Sequence, residues 1–261
     1  MARYALRFTA LGYLAALLIV PVGLVAHRAF ADGIDGFWTA ITTPEALHAL
    51  WLTIVIALIA VPMNTVFGVF CALAIVRRRF PGHGLVNSIV DLPLALSPVV
   101  VGLALVLVYG RTGWWGSWLN EQGIQVIFAL PGMVLATIFV SLPFVVREVV
   151  PVLREIGDEQ EEAASTLGAG PWRTFWRVTL PAIRWGVAYG VVLTTARALG
   201  EFGAVSVVSG RIAGRTETMT LHVEERFQSF DLTGAYASSV VLALLAVGTL
   251  LAMTLLRREE S

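Results

Sequence analysis

Apolar residues along the 261-residue chain come in long runs that are separated by short polar stretches. A helix needs about 20 mostly apolar residues to cross a bilayer, and six runs approach or exceed this length. Because lipid offers no hydrogen-bond partner to backbone N–H and C=O groups, these runs are predicted to be helices and not strands. The six predicted membrane helices lie near residues 8–26, 47–76, 85–109, 128–146, 185–208 and 235–256.

Composition agrees with this pattern. The chain is 57% hydrophobic and only 14% charged, whereas soluble domains typically carry about 25% charged residues. The longest polar stretch, about residues 151–183, is too short to form a second domain. We therefore predict an all-α integral membrane protein with a single transmembrane domain over residues 1–261.

Arginine alone sets the predicted orientation, because the chain contains no lysine. If both termini are cytoplasmic, most of the 18 basic residues lie on the cytoplasmic side, including Arg77, Arg79 and Arg154. The positive-inside rule favours this orientation. The polar stretch 151–183 is then cytoplasmic as well.

The first apolar run has a second interpretation. Ala29-Phe30-Ala31 is similar to the small-residue cleavage site of a signal peptide, and cleavage would leave five membrane helices. The apolar part of about 19 residues exceeds the usual 7 to 15 of a signal sequence. A retained first helix is therefore favoured.

Residue content disfavours several kinds of chemistry. The one cysteine, Cys71, cannot form an intrachain disulfide. The four histidines show no metal-ligand spacing, and a formal charge of zero does not indicate a nucleic-acid partner. A Walker A loop requires a lysine, so any ATP would be hydrolysed by another chain.

The polar stretch predicts a hairpin of two short helices. Asp158 is placed to cap an acidic first turn, and Gly168 suits the left-handed turn that ends this helix. Pro171 fits the first position of the second helix, and Pro181 is expected to end it. Three aromatic side chains would share one face of the second helix: Trp172, Phe175 and Trp176. Taken alone, this pattern also fits a hairpin lying on the membrane surface.

The spacing within this hairpin resembles the loop by which membrane subunits of bacterial ABC importers dock on their ATPase. That pattern is Glu-Ala-Ala, three residues, Gly, nine residues, Ile, one residue, Leu-Pro, and the chain departs from it only at Val178. By resemblance, Glu162 would pair with a cationic group of the ATPase. The residues assigned to ATPase coupling are Glu162, Ala163, Ala164, Leu167, Gly168, Val178, Leu180 and Pro181.

Other segments narrow the resemblance. Residues 92–102 and 197–210 are similar to the sulfate, molybdate and tungstate branch of these permeases, and residues 128–134 and 143–148 to the CysW type of sulfate/thiosulfate importers. This resemblance implies an ABC type I importer permease fold with a cytoplasmic coupling-helix hairpin, in the bacterial inner membrane. It also implies a second, non-identical permease, an ATPase dimer that binds ATP and Mg, and a periplasmic sulfate/thiosulfate-binding protein. The chain itself would be non-catalytic and hold no cofactor.

Two alternatives remain open. One is a homodimeric molybdate or tungstate permease of the same branch. The other is an ion-gradient-driven secondary transporter with Asp91, Arg197 and Glu201 as its relay. Secondary transporters normally carry inverted repeats, and none is visible here.

Charged residues within an apolar run are candidates for the translocation pathway or its gate. Arg197 and Glu201 are four positions apart, which would place them on one helical face where they can pair. Such a pair either lines a water-filled cavity or is a structural ion pair that holds helices together. Asp91 is expected to be buried, with a partner that the sequence does not identify.

Pro93 and Pro98 are expected to bend or break the third membrane helix, which would free backbone groups beside Ser97. Ser206 and Ser209 are candidate hydroxyl donors in the pathway, although serine is equally common in helix packing. The charged outer segment of about residues 209–233 is either a platform for the binding protein or a solvated loop.

Overall fold

The computed structural model describes residues 2–78 and 82–258, and all regular secondary structure within these ranges is helical, as predicted. Arg79, counted among the cytoplasmic arginines, lies outside them. The helices are α1 (Ala2–Ala29), α2 (Gly33–Ile41), α3 (Pro44–Arg77), α4 (His83–Ala95), α5 (Pro98–Tyr109), α6 (Gly116–Glu121), α7 (Leu130–Ile156), α8 (Glu159–Thr166), α9 (Pro171–Thr174), α10 (Leu180–Leu199), α11 (Gly203–Val208), α12 (Met219–Gln228) and α13 (Leu232–Arg258). A π-helical turn, Phe175–Thr179, joins α9 to α10.

Helix α7 is the centre of the fold. In its most apolar part 61% of the residues are buried inside the chain, against 22% for α13 and 0% for α1. Helices α3 and α10 approach α7 closely, because glycine faces Val145 on both sides. A Cβ added to Gly68 would lie 2.7 Å from the Cβ of Val145, and one added to Gly190 would lie 2.8 Å from its Cα. The long helices α3 and α10 are therefore held against one rigid axis.

Two apolar clusters fill the two ends of this bundle. The cluster nearer the end of α7 at Ile156 brings together residues of α3, α4, α7 and α10, among them Val69, Ile75, Val90, Val149, Leu153 and Ile183. The cluster at the opposite end joins α3, α5, α7, α11 and α12, among them Ile56, Val101, Met133, Val205 and Leu221. The polar hairpin is built on the first of these ends.

Four helices within the described ranges are long and apolar enough to cross a membrane alone: Arg7–Ala29, Pro44–Arg77, Leu130–Ile156 and Leu232–Leu251. The predicted third membrane helix is broken, and its halves α4 and α5 meet at 111°, so that counting them as one span gives five. The predicted fifth, 185–208, is also interrupted, since α10 ends at Leu199 and α11 begins at Gly203. Helix α10, which carries Arg184 and Arg197, is not among the candidate spans.

Candidate functional site: a polar hairpin and two broken helices

The turn of the polar hairpin forms at Gly168. This residue has φ +84°, and its N–H donates to the carbonyl of Ser165 at 3.0 Å, while the N–H of Ala169 donates to that of Ala164 at 3.0 Å. These two bonds define a Schellman end, in which glycine adopts the left-handed conformation at little cost. The predicted turn is therefore confirmed. Asp158 is the N-cap of α8, but its side chain makes no capping hydrogen bond.

The second arm begins at Pro171, as predicted, but does not end at Pro181. Residues of α9, the π turn and α10 follow one another without leaving helical geometry, and the Leu180 N–H donates to the carbonyl of Phe175. The π turn shifts the hydrogen-bond register just before Pro181, which has no N–H to donate. The prediction that Pro181 stops this helix is therefore wrong, and the hairpin continues directly into α10.

An ion pair fixes the hairpin to the bundle. The Arg77 Nε donates to Oε2 of Glu161 at 3.1 Å, and the Thr179 hydroxyl donates to Oε1 of Glu161 at 2.9 Å. The same guanidinium donates to the carbonyls of Leu153 at 3.1 Å and Gly157 at 2.5 Å. The Arg77 and Glu161 side chains are only 17% and 23% exposed. Sequence reasoning missed this contact, because it treated Arg77 only as an orientation signal.

The opposite side of the hairpin is open. Glu162 and Ala163 are exposed, Leu167 is 89% exposed at the turn, and the Glu162 carboxylate has no ion-pair partner among the described residues. The other residues assigned to coupling divide into exposed ones, Gly168 and Pro181, and half-buried ones, Ala164, Val178 and Leu180.

Three aromatic side chains cluster on one face of the hairpin, where Phe175 is half-buried and Trp172 and Trp176 are exposed. The Trp172 and Trp176 rings meet edge to face at 5.6 Å, and Phe175 lies within 6.2 Å of both. This confirms the predicted shared face. Beside them a groove of about 580 Å³ runs between α3 and the hairpin, lined by Phe70 and Arg77 among others. The hairpin therefore combines a fixed inner side with an apolar and acidic outer tip.

The predicted break before α5 lies beside a second break, between α10 and α11, that the sequence did not predict. Ser97, exposed and extended, is the N-cap of α5 without a side-chain capping bond, and Pro98 is the first residue of α5. A Cβ on Gly203, the first residue of α11, would lie 2.9 Å from the Cβ of Pro98. One on Gly102 would lie 2.8 Å from the Ala204 carbonyl oxygen. The structure thus places the start of α5 against the start of α11.

The predicted pairing of Arg197 with Glu201 is confirmed, with Nη1 2.6 Å from Oε2. The two are not on one helical face, however, because α10 ends at Leu199 and Glu201 lies in the break. The Glu201 side chain is 1% exposed, and its Oε1 accepts the N–H of Ala204 at 2.8 Å. A carboxylate there stabilises the N-terminus of α11. Because Oε2 has no hydrogen bond of good geometry, its contact with Arg197 is ionic.

Both candidate serines are engaged within the chain. The Ser206 hydroxyl, half-buried, donates to the carbonyl of Gly203 at 2.8 Å. Ser209 is fully buried, and its hydroxyl oxygen accepts the N–H of Arg211 at 3.2 Å. A role for either serine in the pathway stays a prediction.

Asp91 has a partner that the sequence did not identify. Its Oδ1 accepts from the Nε of Arg147 at 2.6 Å, and a second contact joins Nη2 to Oδ2. The two side chains are 41% and 36% exposed, so the predicted burial of Asp91 is wrong. The predicted fourth membrane helix ends at residue 146, just before Arg147, but α7 continues to Ile156 and so contains Arg147, nine residues from its end. The sequence signal for this was a pair of charged residues, Arg147 and Glu148, between two pairs of valines.

The charged segment of residues 209–233 contains several charge pairs around α12. Arg211 pairs with Glu224 at 2.9 Å, and the buried His222 contacts Glu217 at 3.2 Å. Glu217, His222 and Glu225 offer ligand atoms within 4.8 Å of one another, a donor set able to hold a metal ion that the sequence spacing did not show. Each already has a protein partner, since Glu225 also pairs with Arg226 at 3.5 Å.

Known proteins resemble this chain over most of its length. Residues 64–259 match the family described as "Binding-protein-dependent transport system inner membrane component". The chain is 53% identical over 257 residues to the sulfate transport system permease protein CysW of Synechocystis sp., covering 98% of this chain and 93% of that protein. It is 40% identical over 236 residues to the sulfate transport system permease protein CysT of Escherichia coli K12, covering 90% and 85%.

A solved structure shares the fold. A chain of a bacterial alginate ABC transporter, in complex with an alginate pentasaccharide-bound periplasmic protein, matches with a TM-score of 0.82 at 20% identity, over 99% of this chain and 94% of that one.

Proposed function

The chain belongs to the family of binding-protein-dependent transport system inner membrane components, and we propose that it is a transmembrane permease subunit of an ATP-driven sulfate/thiosulfate importer. The observation that carries this proposal is the 53% identity to CysW over 98% of the chain. The chain is a multi-pass membrane protein, and as a permease it contributes pathway and coupling while a separate subunit hydrolyses ATP.

The partners follow from the relatives. Sulfate transport permeases of two differently named types, CysW and CysT, both match this chain, which supports a pathway formed between two non-identical permeases. The neighbouring alginate transporter was solved with its periplasmic protein, which supports delivery of the anion by a periplasmic sulfate/thiosulfate-binding protein. An ABC ATPase dimer would bind ATP and Mg on the other side.

The hairpin is suited to transmit movement of the ATPase. Its outer tip, with Glu162 and Leu167, is free to dock, while Glu161 ties its inner side to Arg77. Because the second arm is continuous with α10, a displacement at the tip is carried into a helix packed on α7. At its far end α10 bears Arg197, paired with the residue that caps α11. Closure of the ATPase pair would thereby reach the two broken helices that we assign to the gate.

We further propose that both termini and the hairpin are cytoplasmic and that the chain crosses the inner membrane six times. The fourth span, α7, is the most buried and ends at the hairpin. Helices α10 and α11 together form the fifth crossing, although α10 contains Arg184 and Arg197. Arg197, partly exposed beside the buried Glu201, would then lie toward the outer end of this crossing.

Uptake of radiolabelled sulfate by the native bacterium, with and without this chain, tests the proposed function. We expect deletion to abolish an uptake that unlabelled thiosulfate inhibits. Intact sulfate uptake after deletion would contradict the proposal. Loss of molybdate or tungstate uptake instead would support the alternative of a homodimeric permease for those anions, which self-association of two differently tagged copies would test independently.

A further inference from the structure

The ion pair between Asp91 and Arg147 has an unusual position. Asp91 lies eight residues from the start of α4 and Arg147 nine residues from the end of α7, so both are about 12 to 14 Å from the helix ends beside the hairpin. Both side chains remain more than a third exposed on the surface of the chain.

A charged pair at this depth does not face lipid. Ionisable side chains within membrane helices face the bundle interior or a water-filled cavity, because hydrocarbon solvates neither charge. Since the pair is not enclosed by this chain, the surface that bears it must be covered by water or by other protein.

The rest of α4 points to water. Gly84, Ser88, Asp91 and Ala95 follow one another at intervals of four, three and four residues, so they form a single small and polar stripe. Gly84, Ser88 and Ala95 are exposed, and Asp91 is half-buried. The neighbouring face carries exposed apolar side chains, with Leu85 at 66% and Ile89 at 55%. One side of α4 is therefore suited to lipid and the adjacent side to an aqueous path.

We propose that this stripe, together with Arg147, lines the cytoplasmic half of the anion pathway, and that Asp91 controls the charge Arg147 presents there. The inference rests on the proposed function for its direction and its anion. An unpaired arginine would hold a divalent oxyanion strongly and slow its release, whereas passage requires weak binding. With Asp91 as a competing partner, Arg147 can contact the anion briefly and then return to the carboxylate.

Cysteine accessibility in the assembled transporter tests this surface. In membrane vesicles carrying the complete transporter, Cys71→Ser removes the native thiol, and Ser88→Cys or Ala95→Cys is added on the stripe. Leu85→Cys and Ile89→Cys, from the apolar face of the same helix, are the matched controls. We expect a water-soluble methanethiosulfonate to label the stripe positions at least tenfold faster than the controls. Equal protection of both faces would overturn the inference, because it would mean a surface covered by lipid or by a partner.

A second measurement tests the charge control. Asp91→Asn leaves Arg147 without its counter-charge, which should raise the ratio of anionic to cationic reagent labelling at Ser88→Cys by roughly three- to tenfold. Arg147→Gln should lower the same ratio, since Asp91 then remains alone. A ratio that is unchanged in both variants would mean that neither charge acts on the labelled surface, and that result would overturn the inference.

The two proposals fail separately. Sulfate uptake by the same vesicles before any substitution decides the importer assignment, whereas the labelling pattern decides whether the stripe faces water whatever the transported anion is.

Discussion

Two neighbouring glutamates of α8 have different surroundings. Glu161 accepts hydrogen bonds from Arg77 and Thr179 and is largely buried, while Glu162 is exposed. Consecutive residues of a helix point about 100° apart, so one can be fixed to the bundle as the next faces a partner. The docking pattern emphasises Glu162, but the structure makes Glu161 the residue that holds the hairpin in place.

This contrast gives a matched pair of variants. Glu161→Gln should destabilise the purified chain by about 1 to 3 kcal/mol, because Arg77 loses a charged partner in a partly buried position. Glu162→Gln should leave the thermal unfolding temperature unchanged but reduce copurification of the ATPase. Thermal unfolding in detergent and an affinity pull-down measure the two effects. Equal destabilisation by both changes would contradict the division between anchor and docking residue.

Among the helices, sequence reasoning succeeded where a local signal exists. Gly168 and Pro171 predicted the hairpin turn and the start of α9, and Pro98 the break before α5. The second break, at residues 200–202, contains no proline, and within it the Glu201 carboxylate accepts the N–H of Ala204 in α11. The i, i+4 spacing predicted the right ion pair for the wrong reason, because the helix had already ended.

Long-range contacts explain the other misses. Arg77 with Glu161 and Asp91 with Arg147 join residues 84 and 56 positions apart. No periodicity within one helix indicates such partners, since they depend on how α3, α4 and α7 pack. The π turn before Pro181 likewise resolves a conflict between a local stop signal and a helix held in place by its neighbours.

Packing of the broken helices can be tested at Gly102. A Cβ there would lie 2.8 Å from both the Ala204 carbonyl oxygen and the Cβ of Val207, so Gly102→Ala should force α5 away from α11 and destabilise the chain by about 1 to 3 kcal/mol. Gly248→Ala in α13 is the control, because nothing lies within 4 Å of its added Cβ. Thermal unfolding of both variants in the same detergent is the measurement. A neutral Gly102→Ala would mean that the two helices are free to separate.

For the whole molecule, the arrangement around α7 links the hairpin end of the bundle to the broken helices. The peripheral helix α1 adds none of its most apolar residues to the buried interior, so the chain's own fold depends mainly on α3, α7 and α10.

Reporter fusions can test the predicted direction of each membrane crossing. Alkaline phosphatase, active only outside the cytoplasm, can be fused after Gly123, Gly168 or Gly214, each of which lies in a turn with positive φ. We expect activity after Gly123 and Gly214 and none after Gly168. Because Gly168 and Gly214 flank α10 and α11, equal activity at these two sites would contradict the fifth crossing, and a reversed pattern would contradict cytoplasmic termini.

The π turn affects the direction in which the hairpin tip points relative to α10. One residue advances an α-helix by about 100° around its axis, and the π turn accommodates one extra residue without ending the helix. Deleting a single residue from Phe175–Thr179 would therefore rotate the tip of the hairpin by roughly a quarter of a circle relative to α10. In the proposed importer, the nine residues between Gly168 and Val178 would therefore set the direction, around the axis of α10, in which the hairpin tip faces the ATPase.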